Sequence, residues 1–284
     1  MEHPTDNPAL HLPWLMRPTP GRLHDFFADG HNNLWVDREL GHDLLAQASC
    51  LPPAAAANWD FKTRVTRLAA RRGIHQFLEL GCGYARREHT MRADRWLPTV
   101  HRTAMDATAT PGNVRIVYVD HDPLVMGYAR ALLDDCDAVR TLEADILDMP
   151  ALLTAPQISG HLDPALPVAV TLTAVAHWIT DDPALHHAMD SLVTWLPPGS
   201  TLSITHATAD HHPQTATALA QICTRAGLPL RLRERAEVRA LFCGLPLLSP
   251  GLTATENWRP EQRAPYRSAA WAGVAVKGAP AVAR

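Results

Sequence analysis

Residues 168–175 contain only valine, alanine, leucine and threonine. Such an unbroken apolar and β-branched run is typical of a strand that is buried on both faces at the centre of a parallel sheet. Other β-like runs lie at residues 75–80, 114–119, 140–144, 201–205, 228–232 and 271–276. Helical patterns separate several of these runs. This alternation predicts an α/β fold with a doubly wound, mostly parallel sheet.

The chain before the first β-like run has a different character. Residues 1–20 contain five prolines and are predicted to form a flexible arm. Residues 21–73 show helical patterns, of which the clearest covers residues 54–72. We therefore predict a single domain over residues 21–284. Its first part, to residue 73, is a helical cap or lid, and residues 74–284 form the α/β core.

Composition narrows the classes of function. The formal net charge is −3 and no large basic cluster is present, so we expect no nucleic-acid partner. The sequence shows no secretory pattern and no apolar run long enough to span a bilayer, so we expect a cytoplasmic protein without a membrane partner. The five cysteines form no CxxC pair, which favours free thiols. The sixteen histidines show no zinc-binding spacing, and no metal is expected.

Glycines and polar residues occur where the predicted strands end. In an open α/β sheet, ligands bind beyond the carboxyl ends of the strands, where the strand order reverses. The candidate residues at these ends are Glu79, Gly81, Cys82, Gly83, Asp120, His121, Asp145, Ile146, Thr173, Ala174, His177 and His206. A Gly-x-Gly turn followed by acids that close the second and third strands is much more specific than a lone Gly-x-Gly.

Each of these residue types suits a particular contact. Gly81 and Gly83 let the backbone turn tightly and approach a ligand. Asp120 can accept hydrogen bonds from both hydroxyls of a ribose. Asp145 can accept one from an adenine amino group, and the N–H that follows it can donate to a ring nitrogen. Glu79 either holds the glycine turn or meets an ammonium group. The alternative for each aspartate is a helix N-cap.

The pattern does not fit a dinucleotide or an ATP-hydrolysing site. Dinucleotide folds use Gly-x-Gly-x-x-Gly so that a pyrophosphate can lie on a helix N-terminus. Here Arg86 occupies the third glycine position. The sequence also contains no phosphate-binding loop of the GxxxxGK[ST] type. A ligand that has no pyrophosphate therefore fits the strand ends better.

The same residues resemble the motifs of the class I S-adenosylmethionine (SAM)-dependent methyltransferases. Residues 79–83 (Glu-Leu-Gly-Cys-Gly) resemble the first motif, Asp120 the acid of the second strand, and residues 144–146 (Ala-Asp-Ile) the adenine motif. The resemblance extends over about residues 21–278. It implies a Rossmann-like fold, SAM as cofactor and S-adenosylhomocysteine (SAH) as product.

Within that class, the chain resembles a bacterial subfamily catalogued as a domain of unknown function and described only as SAM-dependent methyltransferases. The matching stretches are His-Asp-Phe at 24–26, Asp-Gly-His-Asn-Asn at 29–33, Asp-Arg at 37–38, Val-Tyr-Val-Asp-His-Asp-Pro at 117–123, Ala-His-Trp at 176–178, Phe-Cys-Gly at 242–244 and Trp-Arg-Pro at 258–260. The resemblance implies a small-molecule acceptor that is O- or N-methylated in secondary metabolism. The main departure is an insertion at about residues 84–96, which could rebuild the acceptor pocket.

The resemblance also implies a lid over the cofactor. Its predicted residues are Asp25, Phe26, His31 and Asn33, and the alternative is a plain helical packing element. The subfamily has Gly-Lys-Asp where this chain has Gly-His-Asn at residues 30–32, so histidine replaces that lysine here.

His177 and His206 are the candidate catalytic residues. Methyl transfer requires alignment of the acceptor and, for some acceptors, removal of a proton, and histidine titrates near neutral pH. The alternative is that both rings bind the backbone or line a pocket. Two other functions remain open: a SAM-using enzyme that does not methylate, such as a cyclase, lyase or aminocarboxypropyl transferase, and a non-catalytic SAM-binding protein. A homodimer also remains open.

Overall fold

The computed structural model describes residues 15–84, 99–133, 136–261 and 268–278. The helices are α1 (Pro20–Phe27), α2 (Trp35–Gln47), α3 (Leu51–Arg71), α4 (Val100–Ala107), α5 (Pro123–Leu133), α6 (Met149–Thr154), α7 (Pro156–Ser159), α8 (Asp182–Trp195), α9 (Pro213–Arg225) and α10 (Arg235–Ala240). The strands are β1 (Gln76–Leu80), β2 (Arg115–Asp120), β3 (Val139–Glu143), β4 (Val168–Thr173), β5 (Thr201–Ala207), β6 (Thr253–Ala254) and β7 (Ala270–Val276).

The strands form one sheet in the order β3-β2-β1-β4-β5-β7-β6. Strands β1 to β5 are parallel, whereas β7 runs antiparallel to both β5 and β6. On β1, Leu78 lies opposite Val117 of β2 and Val170 of β4. The chain moves outward from β1 to β3 and then returns to β4, so the strand order reverses between β1 and β4. The predicted doubly wound, mostly parallel sheet is confirmed.

Helices cover both faces of the sheet. Leu78 and Leu80 belong to a buried cluster that includes residues of α6 and α8. Phe77, which directly precedes Leu78, belongs to a second cluster that includes residues of α3, α4 and α5. Successive side chains of a strand point to opposite faces. All five residues of β1 are therefore buried, and the carboxyl ends of the strands remain as the accessible edge.

The N-terminal helices pack beside this sheet. A buried cluster joins α1 and α2 to α9 through Leu23, Leu40, Leu44 and Cys223. Helix α3 begins at Leu51, three residues before the predicted start. Pro52 and Pro53 lie in its first turn, where a missing backbone N–H removes no helical hydrogen bond.

Part of the predicted N-terminal arm falls within the described residues. Residues 15–20 lead directly into α1. The Thr19 backbone N–H donates to the Asp37 carboxylate (3.1 Å), and the Thr19 hydroxyl donates to Asp122 (2.9 Å). Asp37 also forms a fully buried ion pair with Arg22 (2.8 Å). These contacts connect the residue before α1 to α2 and to the start of α5.

Two late segments differ from the prediction. Residues 228–232 form no strand; the Arg231 N–H instead donates to the His177 carbonyl oxygen (2.8 Å), outside the ladders of the sheet. Strand β6, which was not predicted, pairs Thr253 with Ala272 of β7. With two residues it is too short to show a period-2 pattern.

Three further observations bear on the sequence expectations. All five cysteines lie among the described residues, and each is a free thiol. Among the described helices, none combines the length and the apolar character needed to cross a membrane. The predicted insertion at about residues 84–96 lies outside the described residues, apart from Tyr84.

Candidate functional site

The turn after β1 is shaped by two glycines. Gly81 (φ +69°) and Gly83 (φ +61°) have left-handed backbone conformations, and the N–H groups of Gly81 and Cys82 donate to the Val119 carbonyl oxygen. A Cβ atom on Gly81 would lie 2.3 Å from Cγ2 of Val175, so a side chain does not fit there. A Cβ on Gly83 would meet no atom within 4 Å. The turn is therefore tight on the side of β4 and open at Gly83.

Asp120, the last residue of β2, holds this turn. One carboxylate oxygen accepts a hydrogen bond from the Gly83 N–H (3.0 Å), and the other accepts from the Asp122 N–H (3.1 Å). Burial raises the pKa of Asp120 above its usual value, although both hydrogen bonds oppose this effect. Each oxygen keeps a further lone pair for a ligand. Beside it, His121 is exposed, with Nδ1 3.7 Å from the carboxylate.

The ends of β3 and β4 complete the edge. Asp145 is exposed and caps the 3-10 turn Ile146–Asp148 by accepting from the Leu147 N–H (2.9 Å). Asp145 therefore lies where the cofactor prediction places it, and it also acts as a cap, which was the alternative interpretation. Ala174 follows β4 with φ +59°, and its N–H donates to the Thr205 hydroxyl oxygen (2.8 Å).

These strand ends line one cavity of about 390 Å³. Ten of the predicted cofactor residues lie on its wall: Asp25, Gly81, Cys82, Gly83, Asp120, His121, Asp145, Ile146, Thr173 and Ala174. The volume is within the range of about 300–1,000 Å³ that is usual for small-molecule and cofactor sites. Residues of α1 and α3 also line it, so the helical cap forms one side of the cavity.

The predicted lid residues have different positions. Asp25 is buried at the cavity wall, and its carboxylate accepts from the Asn32 N–H (2.8 Å) and the Asn33 amide (2.9 Å). Asn33 is thus behind Asp25 and does not line the cavity. Phe26 packs between α1 and α2 beside the His42 ring, with ring centroids 5.2 Å apart. His31 is exposed. Phe26 and His31 also lie away from the cavity wall.

An ion pair that the sequence interpretation missed lies below the glycine turn. The Lys62 ammonium contacts the Glu79 carboxylate at 2.5 Å, both side chains are buried, and the ammonium lies 3.7 Å from the centroid of the Trp59 ring. Burial raises the pKa of Glu79, while Lys62 lowers it. Lys62 and Trp59 line the cavity, whereas Glu79 supports Lys62 from behind. Lys62 is charged but lies three or four positions from buried residues of α3, so it shares their helix face. This spacing is the sequence feature that could have identified it.

A second cavity of about 180 Å³ adjoins the first. His24, Asn58, Ala174 and Trp178 line both cavities. The second wall is largely apolar, with side chains from α1, α2, α3 and α9. Both predicted catalytic histidines lie on this second wall, not on the first.

Both ring nitrogens of His206 are engaged. Nδ1 lies 2.6 Å from the Ala207 carbonyl oxygen, so Nδ1 carries the proton. Nε2 lies 3.0 Å from a nitrogen of Arg233, which can only donate, so Nε2 accepts. Burial lowers the pKa of His206 to about 3. In this arrangement His206 has no nitrogen lone pair left for an acceptor molecule.

His177 is buried, and among the described residues only its Nδ1 has a hydrogen-bond partner. The Ala207 backbone N–H donates to Nδ1 at 3.4 Å. The neutral ring therefore carries its proton on Nε2. Burial lowers the pKa of His177 well below its usual value, with smaller effects from His206, His24 and Arg233.

Comparison with known proteins shows to which family the chain belongs. The model of the S-adenosyl methyltransferase family matches residues 15–278. The chain belongs to this family. The predicted SAM-dependent methyltransferase activity and the predicted cofactor, SAM, are thereby confirmed.

Two solved structures are similar to this methyltransferase over most of its length. One is a DUF574 family protein from Streptomyces avermitilis, with 31% identity, coverage of 92% of this chain and 98% of that chain, and a TM-score of 0.81. The other is a protein from Thermobifida fusca, provisionally described as a methyltransferase, with 27% identity, coverage of 95% and 99%, and a TM-score of 0.83. A search among proteins of curated function finds no match.

Proposed function

We propose that the first cavity holds SAM, with its ribose at Asp120 and its adenine at Asp145 and Ile146. The observation that carries this proposal is the Asp120 carboxylate, which is buried on the cavity wall with an unused lone pair on each oxygen. Two adjacent ribose hydroxyls supply the two donors that such a carboxylate can accept. At Gly83 the missing side chain leaves open space beside this carboxylate.

The methionine part of SAM then lies toward the glycine turn and α3. There the wall offers Lys62, whose charge can meet a carboxylate, with Glu79 held behind it. When bound, SAM supplies an electrophilic methyl group. The chain's own contribution is to hold donor and acceptor in line and to exclude water.

We propose further that the second cavity holds a small-molecule acceptor. It adjoins the cofactor cavity at Asn58 and Ala174, so an acceptor there would face the cofactor. Because His206 has no free lone pair, we assign it a structural role, in which it fixes Arg233. Of the two predicted catalytic histidines, His177, with Nε2 unused by the described residues, is the one that can contact the acceptor.

Calorimetric titration with SAM and SAH tests the cofactor site. Asp120→Asn keeps the shape of the side chain but removes its charge and one acceptor oxygen. We expect a loss of about 2–4 kcal/mol in binding free energy, because one hydroxyl contact is lost and the other becomes neutral, or roughly a thirty- to thousand-fold loss of affinity.

The matched control is Asp148→Asn, an exposed aspartate that does not line the cavity. It should bind SAM like the wild type. Unchanged affinity in Asp120→Asn would contradict the assignment of the ribose to Asp120. Absence of SAM and SAH binding by the wild type would contradict the whole site.

A further inference from the structure

The two cavities differ in charge. The first is lined by Asp25, Asp120, Asp145 and Lys62 among others. Among the described residues, the wall of the second includes no aspartate, glutamate, lysine or arginine. Its polar side chains are threonine hydroxyls, cysteine thiols, the Asn58 amide, the Trp178 indole and histidine rings. An acceptor in the second cavity therefore meets no lysine, arginine or carboxylate on the described part of its wall.

A chain of hydrogen bonds fixes the orientation of the Asn58 amide at the junction. The Ala174 backbone N–H must donate, so the Thr205 oxygen accepts it (2.8 Å). The Thr205 hydroxyl then donates to Oδ1 of Asn58 (2.5 Å). The nitrogen of the Asn58 amide makes no hydrogen bond within the described part of the chain, although the residue is more than nine-tenths buried. It is a donor available to a ligand.

His177 presents a second donor to the same cavity. Because Nδ1 accepts from the Ala207 N–H, the proton of the neutral ring is on Nε2. Nε2 has no hydrogen-bond partner among the residues described. For His177 to act as a base through Nε2, its proton would have to move to Nδ1 and face the Ala207 N–H. The junction thus offers two N–H donors, and His24 is a third side chain that lines it.

We propose that the acceptor is a compact apolar carboxylic acid, bound as its carboxylate by the Asn58 amide and the His177 Nε2–H, and that the product is its methyl ester. This inference rests on the proposed function. A carboxylate oxygen uses a lone pair to form the new O–CH₃ bond. The C–S bond breaks, and its electron pair stays on sulfur. Neutral ester and neutral thioether result, and no proton is released.

Other acceptor groups suit this junction less well. An alcohol or an alkylammonium group must lose a proton to be methylated, whereas a carboxylate needs no base. A phenol, with a pKa of about 10 in water, stays protonated at neutral pH, whereas a carboxylic acid, at about 4, is ionised. A neutral amine nitrogen has one lone pair, which cannot both accept hydrogen bonds and attack. A carboxylate oxygen can accept and attack at once.

The neutral wall also explains how such an anion is held. With no lysine or arginine on the described wall, the permanent positive charge that can neutralise the carboxylate is the sulfonium of the donor. Opposite charges attract strongly in a low-dielectric cavity, and methyl transfer removes both. The volume of about 180 Å³ limits the size, since an apolar cavity of about 150 Å³ admits benzene.

A binding experiment tests the charge argument without turnover. The probe is benzoate, with benzamide as its neutral counterpart, titrated by calorimetry into the protein saturated with SAH or with sinefungin, a SAM analogue that carries an ammonium group in place of the sulfonium. We expect benzoate to bind the sinefungin complex at least about tenfold more tightly than the SAH complex. Benzamide should bind both complexes alike. Equal benzoate affinities, or no benzoate binding to either complex, would overturn the proposal.

The variant Asn58→Asp sharpens the test. It preserves the acceptor for the Thr205 hydroxyl but replaces the N–H donors by an anionic oxygen. We expect it to bind sinefungin and to lose benzoate at least tenfold. Asn113→Asp, the same change at an exposed asparagine outside both cavities, is the matched control and should retain benzoate. Retained benzoate affinity in Asn58→Asp would overturn the assignment of this donor.

A turnover panel separates this proposal from the proposed function. Benzoic, phenylacetic and cyclohexanecarboxylic acids are compared with phenol, benzyl alcohol and benzylamine, and products are measured by mass spectrometry with SAM as donor. Methyl esters from the acids alone support the proposal. Methylation of phenol, alcohol or amine, with the acids inert, overturns the carboxylate proposal but leaves methyl transfer intact. SAM binding with no methylated product from either set overturns the carboxylate proposal as well.

Discussion

Acidification should destabilise this methyltransferase through two buried histidines, and His177→Phe should remove about half of that effect. Burial lowers the pKa of His177 well below its usual value and lowers the pKa of His206 to about 3. Both rings are therefore neutral in the folded protein in mild acid. In the unfolded chain, histidine has its ordinary pKa of about 6.5 and becomes protonated. Below that pH the unfolded state binds protons that the folded state does not.

The magnitude follows from proton linkage. A histidine with a lowered folded pKa contributes stability that is present above about pH 6.5 and is lost as the pH falls toward the folded pKa. One pH unit below 6.5, each such histidine costs about 1.4 kcal/mol of the free energy of unfolding, so the two together cost about 3 kcal/mol. Burial raises the pKa of Glu79 and of Asp120, and these groups gain stability on acidification. The histidine effect is therefore isolated by comparing variants.

The assay is urea unfolding at about pH 7.5 and about pH 5.5. For His177→Phe, the loss of unfolding free energy between the two pH values should be about 1.4 kcal/mol smaller than for the wild type, with similar urea m-values. The control is His187→Phe, because His187 is exposed on α8; this variant should show the wild-type loss. Equal losses for wild type and His177→Phe would refute the argument that burial keeps the His177 ring neutral.

Two further predictions concern the cofactor cavity. Gly81→Ala should lower stability and SAM affinity more than Gly83→Ala. Both positions have positive φ, which costs alanine about 1–2 kcal/mol, but only at Gly81 would the Cβ lie against Val175 (2.3 Å). Equal losses of stability and of SAM affinity in the two variants, measured by calorimetry and titration, would contradict the close approach. Glu79→Gln should lower the free energy of unfolding by about 3–5 kcal/mol, because the buried Lys62 ammonium loses its carboxylate partner. The Glu79→Gln, Lys62→Met double variant should lose less unfolding free energy than the sum of the losses in the two single variants. Additive losses in urea unfolding would contradict this coupling.

The sheet and the strand-end part of the site could be predicted from the sequence because both depend on local patterns. A buried parallel strand shows as an apolar run, and parallel topology brings the carboxyl ends of the strands to one edge. Gly81, Asp120 and Asp145 lie within a few residues of a strand end, so their place on the cavity wall follows from the topology. Residues 228–232 show the limit: they have a strand-like composition but no neighbouring strand to pair with.

The lid and the second cavity could not be predicted in the same way. Phe26 and Asn33 follow Asp25 in sequence, yet the helix and the turn direct only Asp25 to the cavity wall. Lys62 and Asn58 carry no motif, and their meaning depends on partners far along the chain. Thr205, which orients Asn58, is 147 residues away. Periodicity shows that such residues share a helix face but does not show what that face meets.

Helix α3 contributes different side chains to the two cavities. Asn58 and Lys62 are four residues apart and lie on one face of the helix. Lys62 lines only the first cavity, whereas Asn58 lines both cavities. The cofactor wall includes the strand ends, which the sheet fixes, whereas the acceptor wall includes residues of α2 and α9, such as Leu44 and Leu219, that do not line the cofactor cavity. Substitutions at these two positions can therefore change the shape of the acceptor cavity without moving Asp120, so acceptor choice should vary there independently of SAM affinity.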